Sequence, residues 1–273
     1  MKPVCAALLA LGLNLAPALD AVAQTAEAAL NPSSAPAPQA SLPYTGVKGP
    51  GSLSGLWYRT GYLGTANHTP RERIARDING KIPGMLPWAR DLLEKRVSNA
   101  EKGDIFANNA TLCLPQGIPY MLFGAVEGPQ QIFEQPDQVT LITEEGNEIW
   151  RIFLNAKHSP IDDIEPTFHG ESVGHWEGDT LVVDTLGLNT KTTLDQVGMP
   201  HSDALHVMFK IRRASQNTLE FMVTIDDPKT FTAPWTQRLI YRQAKAGERQ
   251  REFVCENNRN APDAQGFQSF QVK

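Results

Sequence analysis

The sequence predicts a mainly β protein in which an antiparallel meander closes into a barrel with one covering helix. Short β-prone runs follow one another after residue 130, turn residues separate them at hairpin distances, and several of them alternate apolar and polar side chains. Closure is favoured because it removes the unpaired edges that an open sheet of about nine strands would expose. A two-sheet β-sandwich is the alternative architecture.

The first 51 residues are expected to lie outside this barrel. Residues 1–23 combine a basic second residue, an apolar run and the small-x-small sequence Ala21-Val22-Ala23, which is the pattern of a signal peptide cleaved before Gln24. Residues 24–51 are rich in Ala, Pro and Ser, as in a disordered linker. Residues 52–273 then form a single domain. The protein is expected to be periplasmic or secreted, with no membrane span after export.

The domain opens with a β-prone run at 55–59, whose Gly-x-Trp sequence resembles the start of lipocalin-like (calycin-type) barrels. A helix is predicted over 86–103, because Pro87 suits a first turn, an apolar stripe follows, and Gly103 suits the end. Frequent Pro and Gly between residues 104 and 129 predict a long ordered loop that can form a mouth or lid.

Eight later runs are predicted as strands. Alternation is clearest in two of them, where apolar residues at every second position indicate one buried face and one solvated face. The predicted strands are 138–143, 148–154, 171–176, 180–186, 205–213, 219–225, 235–242 and 250–255.

Cysteine content and charge limit the chemistry. Cys113 and Cys255 are the two cysteines left after the leader is removed, and in an oxidising compartment they predict a disulfide, with two separate thiols as the alternative. The net charge is −5 without a basic cluster, so no nucleic acid partner is expected.

The chain has no Gly-x-Ser-x-Gly elbow and no Gly-rich phosphate loop, which disfavours serine hydrolysis and nucleotide chemistry. No cofactor is expected.

Several short motifs resemble those of a widespread family of uncharacterised exported bacterial proteins. They are SVG at 172–174, WEGDTLVVDT at 176–185, PHSD at 200–203, LHV at 205–207 and TIDDP at 224–228. The resemblance covers roughly residues 51–258. It indicates that the segment containing these motifs forms one unit, and it implies no particular reaction.

A cluster of acids and histidines ends the long segment before the strand at 205–213. Asp195, His201, Asp203 and His206 are the candidate catalytic residues, because a carboxylate bonded to one imidazole nitrogen makes the other a competent base. His201 or His206 is the predicted base, and Asp203 or Asp195 is the predicted orienting carboxylate. In the alternative interpretation, His201 caps a turn and His206 lies on a solvated strand face.

Other polar and aromatic side chains are predicted to bind substrate. Alternation places Glu171 and His175 on one strand face, and it places Trp235, Gln237 and Tyr241 together on another. A Gln among aromatic rings suits an amphipathic aromatic ligand, although core packing also explains the rings. Tyr58 and Tyr120 are candidate hydrogen-bond donors at the same site.

Three functions follow from these patterns. The first is a cofactor-independent lyase or isomerase that uses His/Asp acid-base chemistry on a small, apolar, aromatic compound. The second is a lipocalin-like carrier of a small apolar ligand. The third is a zinc-dependent hydrolase, in which His169, Glu171 and His175, together with His201 and His206, would supply three ligands, although no metal is assigned to the site.

Overall fold

The chain was analysed as a computed structural model. The structure describes residues 52–61, 68–104, 108–110, 112–123 and 128–255. Within these residues nine strands form a closed barrel in sequence order, which confirms the predicted lipocalin-like barrel over the two-sheet sandwich. The expected signal peptide at 1–23 and linker at 24–51 lie outside the described residues.

Strand pairing is antiparallel around the barrel, with one exception. Strands β4 and β5 run parallel and pair only through Phe153 with Val173 and Leu154 with Gly174. The first and last strands close the ring. The strands are β1 (Gly55–Thr60), β2 (Gln130–Glu134), β3 (Gln138–Thr143), β4 (Ile149–Leu154), β5 (Glu171–Glu177), β6 (Thr180–Leu186), β7 (His206–Ser215), β8 (Thr218–Asp226) and β9 (Trp235–Gln243).

Two elements differ from the sequence-based expectation. Strand β2 was not predicted; it begins directly after Pro129, the last residue of the segment predicted as a loop. Residues 250–255 form no strand. Because β9 already pairs with β1, the ring leaves no edge for a further strand, and this segment instead runs beside the β3–β4 turn, where Asn147 Nδ2 donates to Phe253 O at 2.8 Å.

Large side chains fill the centre of the barrel. Burial alternates along the strands, so that every second residue points inward. Trp150 packs on Phe209 with ring centroids 4.7 Å apart, and Phe221 packs on Tyr241 at 5.0 Å. Because these rings and Trp57 are fully buried, the barrel axis is a packed core in this region.

Long connections leave the barrel at one end, which we call the loop end. Antiparallel pairing places there the described parts of the connection from β1 to β2 and the segments 187–205 and 227–234, whereas the short turns at 135–137, 178–179 and 216–217 close the opposite end. The segment 155–170, by contrast, runs from the opposite end of the barrel to the loop end, because β4 and β5 are parallel.

The predicted covering helix is present as α1 (Pro87–Glu101), and a single helical turn, α2 (Tyr120–Phe123), follows it. Leu93 and Val97 of α1 join the hydrophobic core. The helix is tied to the loop end at two points, where the Leu86 N–H donates to Thr230 O at 2.9 Å and the Arg96 guanidinium donates to Gly198 O. Among the described helices, none has the length and apolar character needed to cross a membrane.

The predicted disulfide is present. Cys113 and Cys255 are bonded with their Cα atoms 5.6 Å apart, and the bond joins the segment before α2 to the chain beyond β9. It encloses 142 positions of sequence, which includes eight of the nine strands. Cross-linking such a long loop restricts the unfolded chain strongly.

Replacing both cysteines, as Cys113→Ser/Cys255→Ser, is expected to lower the free energy of unfolding by about 2–5 kcal/mol, because the unfolded chain regains the entropy that the long closed loop removes. Chemical denaturation of the two proteins measures the difference. Reductant should bring the wild type to the variant's midpoint and leave the variant unchanged. Equal midpoints without reductant would contradict a stabilising disulfide.

Candidate functional site

Three neighbouring strands place polar side chains on the outer wall of the barrel. Inward positions of β6 are taken by Leu181, Val183 and Thr185, so Asp184 points outward. The pairing of Val173 with Asp184 and of Asp184 with Met208 then fixes its neighbours. Glu171 lies two residues before Val173, and His206 lies two residues before Met208, which puts all three polar side chains on one face.

His158, from the segment between β4 and β5, completes the arrangement. Its Nδ1 lies 2.9 Å from Glu171 Oε1. Its buried Nε2 lies 3.3 Å from Asp184 Oδ2, within ion-pair distance but without the alignment of a hydrogen bond. The other Asp184 oxygen bonds His206 Nε2. Glu171, His158, Asp184 and His206 therefore form a continuous carboxylate–imidazole chain, which we call the outer network.

Glu171 anchors one end of the outer network as a carboxylate. Its oxygens accept the Ser159 N–H at 2.8 Å and the Ser159 hydroxyl at 2.7 Å in addition to His158. Burial alone raises the pKa of Glu171, but the hydrogen bonds from Ser159 and His158 together outweigh it and hold the pKa below its usual range. An ionised Glu171 orients the His158 ring by accepting its Nδ1–H.

The other end of the outer network opens to solvent. The exposed fraction of the side chain is 30% for His206 and 16% for His158. Because Asp184 accepts from His206 Nε2, a neutral His206 keeps its Nδ1 lone pair free, and no described residue hydrogen-bonds that nitrogen. Asp184 therefore fixes the orientation of the His206 ring and leaves Nδ1 as the nitrogen that can act as a base.

An open cavity of about 320 Å³ lies beside the outer network and shares Asp184 with it. The volume of the cavity lies within the size range of small-molecule sites, and its wall combines apolar side chains with one cation. The lining residues are Asn155, Ala156, Lys157, Val173, Gly174, His175, Val182 and Asp184. Packing favours glycine at position 174, because a Cβ there would come within 2.9 Å of Ile152 Cγ2.

The four predicted catalytic residues are not gathered at one point. His206 belongs to the outer network, whereas Asp203 is exposed and pairs with Lys229 at 2.8 Å. Asp195 and His201 are buried in the segment between β6 and β7. Among the described residues, no hydrogen bond joins any two of the four.

The buried pair has structural partners. Asp195 accepts backbone N–H groups of Ala75 at 2.9 Å, Val197 at 3.1 Å and Met199 at 2.8 Å, and burial raises its pKa. His201 accepts the Thr192 hydroxyl at Nε2, 2.7 Å away, and its Nδ1–H donates to Ser202 O at 3.0 Å. Burial lowers the pKa of His201, which favours this neutral imidazole.

Two of the predicted substrate-binding residues lie at or beside the outer network. Glu171 is its anchor, and His175 lines the adjacent cavity, where its Nε2 lies 3.3 Å from Glu177 Oε1. Tyr58 faces outward on β1 under the Arg242 guanidinium, which lies 4.3 Å from its ring centroid. Burial is the main cause of the raised pKa of Tyr58.

The remaining predicted binding residues cluster toward the barrel interior and the loop end. Trp235 packs against Phe231, with ring centroids 5.6 Å apart, and Tyr241 is fully buried, which raises its pKa to about 12. Tyr120 is buried on α2. Gln237 lines a second, smaller cavity at the loop end.

Sequence reasoning missed His158 and Asp184. Asp184 could have been found, because alternation in β6 turns it outward and the short turn after Glu177 fixes its register against β5. His158 lies in an irregular segment, where no periodicity indicates which way a side chain points. It reaches the sheet only through the tertiary path of 155–170.

Comparisons of the chain with known protein families, curated proteins and solved structures gave no match. The family resemblance of the motifs therefore stays a prediction. In the described part of the chain, no group of three or more His, Cys, Asp or Glu side chains is placed to hold a metal ion. His169, one of the predicted zinc ligands, bonds Glu148 at 2.9 Å.

The lowered pKa of His201 makes the stability of the fold depend on pH. The unfolded chain binds a proton near the ordinary histidine pKa of 6.5, whereas the folded state resists it. His201 therefore stabilises the fold fully above that pKa, and this contribution is lost as pH falls through the folded pKa. Urea unfolding between about pH 5 and pH 8 should show stability falling with pH, and His201→Gln should flatten the slope.

The exposed His175, replaced as His175→Gln, serves as the matched control and should keep the wild-type slope. Wild type and His201→Gln with the same pH slope would contradict a neutral, buried His201.

Proposed function

We propose that the protein is a cofactor-independent lyase or isomerase that acts on a small, apolar, aromatic compound through acid-base chemistry at the outer network. The observation that carries the proposal is the hydrogen bond that His206 Nε2 donates to Asp184, which leaves the other imidazole nitrogen without a described partner, next to the residue that lines the 320 Å³ cavity. Such a pair removes and returns protons without a redox partner.

Each residue has a role set by its position. His206 Nδ1 takes a proton from a substrate carbon, and Asp184 stabilises the imidazolium that forms. In an isomerisation, the imidazolium returns the proton to another substrate atom. In an elimination, the electron pair of the broken C–H bond forms a double bond, and the leaving group departs with its own pair.

The partly buried end of the outer network maintains this geometry. Glu171 orients His158, and His158 lies against the second Asp184 oxygen, so the carboxylate is held between two imidazole rings. Lys157 is the cation in the cavity wall and can stabilise negative charge that develops on a substrate oxygen. Val173 and Val182 supply apolar contact for the rest of the molecule.

The packed barrel centre supports a site on the wall rather than in the lumen. A carrier of the lipocalin type would hold its ligand inside the barrel, where Trp57, Trp150 and Tyr241 already fill the space. The Cys113–Cys255 disulfide fits an oxidising compartment, so we place the enzyme in the periplasm or outside the cell.

A panel of small aromatic compounds, incubated with the purified protein and followed by liquid chromatography and mass spectrometry, tests the proposal. The wild type should consume at least one compound. His206→Gln and Asp184→Asn should each lower the turnover rate by about 10²–10⁴-fold, because each removes part of the general base.

Asp179→Asn is the matched control, since Asp179 lies in the same β5–β6 hairpin at the opposite end of the barrel. It makes the same change of charge and should keep the wild-type rate. Equal turnover by wild type and Asp184→Asn would make the assignment wrong. Compounds retained by every variant but never altered would favour the carrier.

A further inference from the structure

A second cavity lies at the loop end, away from the residues of the outer network. It has a volume of about 120 Å³ and is bounded by the end of β1, the segment after it, the tip of α2 and the start of β9. The lining residues are Arg59, Gly61, Arg73, Ile74, Ala75, Arg76, Phe123, Asp195, Gln196 and Gln237. We call it the mouth cavity.

Three arginine side chains line the mouth cavity. Arg59 Nη1 donates to the carbonyls of Leu122, at 3.0 Å, and Phe123, at 2.6 Å, and so holds α2 in place. Arg73 and Arg76 form no ion pair with any described carboxylate. Arg73 Nη1 lies 3.4 Å from Gln196 Oε1, and Arg76 Nη1 lies 3.3 Å from Gly80 O.

Two residues that line the cavity each have a buried polar atom with no hydrogen-bond partner among the described residues. Arg73 Nε is a donor without an acceptor, and Gln237 Oε1 is an acceptor without a donor. Each such atom costs about 1–3 kcal/mol when it is left unsatisfied, so native structures rarely keep them without a partner. A ligand that offers an acceptor to Arg73 and a donor to Gln237 satisfies both atoms once these two side chains turn toward the cavity.

The one carboxylate in the wall does not neutralise the arginines. Asp195 accepts three backbone N–H groups, with Oδ1 shared by Val197 and Met199 and Oδ2 bonded to Ala75. It fixes the segment that carries Arg73 and Arg76. An anion entering the cavity therefore meets two guanidinium groups that have no carboxylate of their own.

We propose that the mouth cavity binds a single-ring aromatic carboxylate that carries a hydroxyl group. The carboxylate receives hydrogen bonds from Arg73, whose planar guanidinium matches it, with Arg76 contributing charge. The ring packs on Phe123 and Ile74, and the hydroxyl donates to Gln237 Oε1. With a volume of about 120 Å³, against the roughly 150 Å³ of a cavity that encloses one benzene ring, the mouth cavity takes no more than a single ring and leaves part of the ligand in contact with solvent. This site is separate from the proposed catalytic residues.

Calorimetric titration with the three hydroxybenzoate isomers tests the proposal on the purified protein. At least one isomer should bind saturably, with a Kd at least about tenfold lower than that of the corresponding uncharged hydroxybenzamide, because the charge-assisted bonds to Arg73 are lost in the amide. Unsubstituted benzoate should bind more weakly than that isomer. Absence of saturable binding by all three isomers would overturn the proposal.

Variants assign the binding to this cavity. Arg73→Gln should raise the Kd at least about tenfold, whereas Arg90→Gln, at an exposed position of α1, should leave it unchanged. Gln237→Leu should abolish the preference for the hydroxylated ligand. Thermal melting verifies that each variant is folded, and Arg76→Gln, with the same expected direction, replaces Arg73→Gln if that variant does not fold.

Two outcomes would overturn the assignment, namely equal affinity of Arg73→Gln and Arg90→Gln, or equal affinity for the acid and its amide. Calorimetric titration measures binding and does not depend on turnover. Asp184→Asn should bind the hydroxybenzoate as the wild type does, so failure of the catalytic proposal and failure of this one give different results.

Discussion

The hydrogen-bonded closure of β1 on β9 is the constraint on which the rest of the structure depends. Once the ring is closed, its inner face must be filled, and large aromatic side chains such as Trp57 and Trp150 fill it to the centre. Polar chemistry is then confined to the outer wall and to the loop end. Both candidate sites lie in those two places.

Strand register decides which side chains the outer wall presents. Side chains alternate with a period of two, so a one-residue slip of β6 against β5 would turn Asp184 into the core and Val183 outward. The buried Val183 and Thr185 on either side of Asp184 oppose that slip. The same packing that stabilises the barrel therefore also positions Asp184 for His158 and His206.

Sequence patterns predicted those elements whose periodicity is local. The strands at 138–143 and 180–186 were predicted with their observed bounds, because apolar alternation and short turns define them without reference to the rest of the chain. Strand β2 was missed because its pairing with β1 and β3 is a tertiary fact. The terminal segment at 250–255 was misassigned for the converse reason, since closure removed the edge it would have joined.

The sequence could identify only part of the candidate site. The candidate residues have similar chemistry, and they differ mainly in how deeply the fold buries them. Asp195, His201 and His206 look alike in sequence, each a polar residue near the start of β7. Residues 192–201 are all buried, however, although their composition indicates an exposed loop. Arg96 of helix α1 bonds Gly198 in this segment. Burial gives Asp195 and His201 structural partners, whereas His206 stays partly exposed.

Asp195 connects that buried segment to the mouth cavity. Its carboxylate is a hub for backbone N–H groups from two chain segments, one of which carries Arg73 and Arg76. Arg96 of α1 bonds Gly198 in the other segment, so helix, buried segment and arginine segment form one connected unit. Because the backbone beside Arg73 and Arg76 is held in this way, only their side chains lose conformational freedom when an anion arrives, and preorganisation of that kind favours binding. The residue that sequence suggested as an orienting carboxylate for catalysis thus has the geometry to orient cations instead.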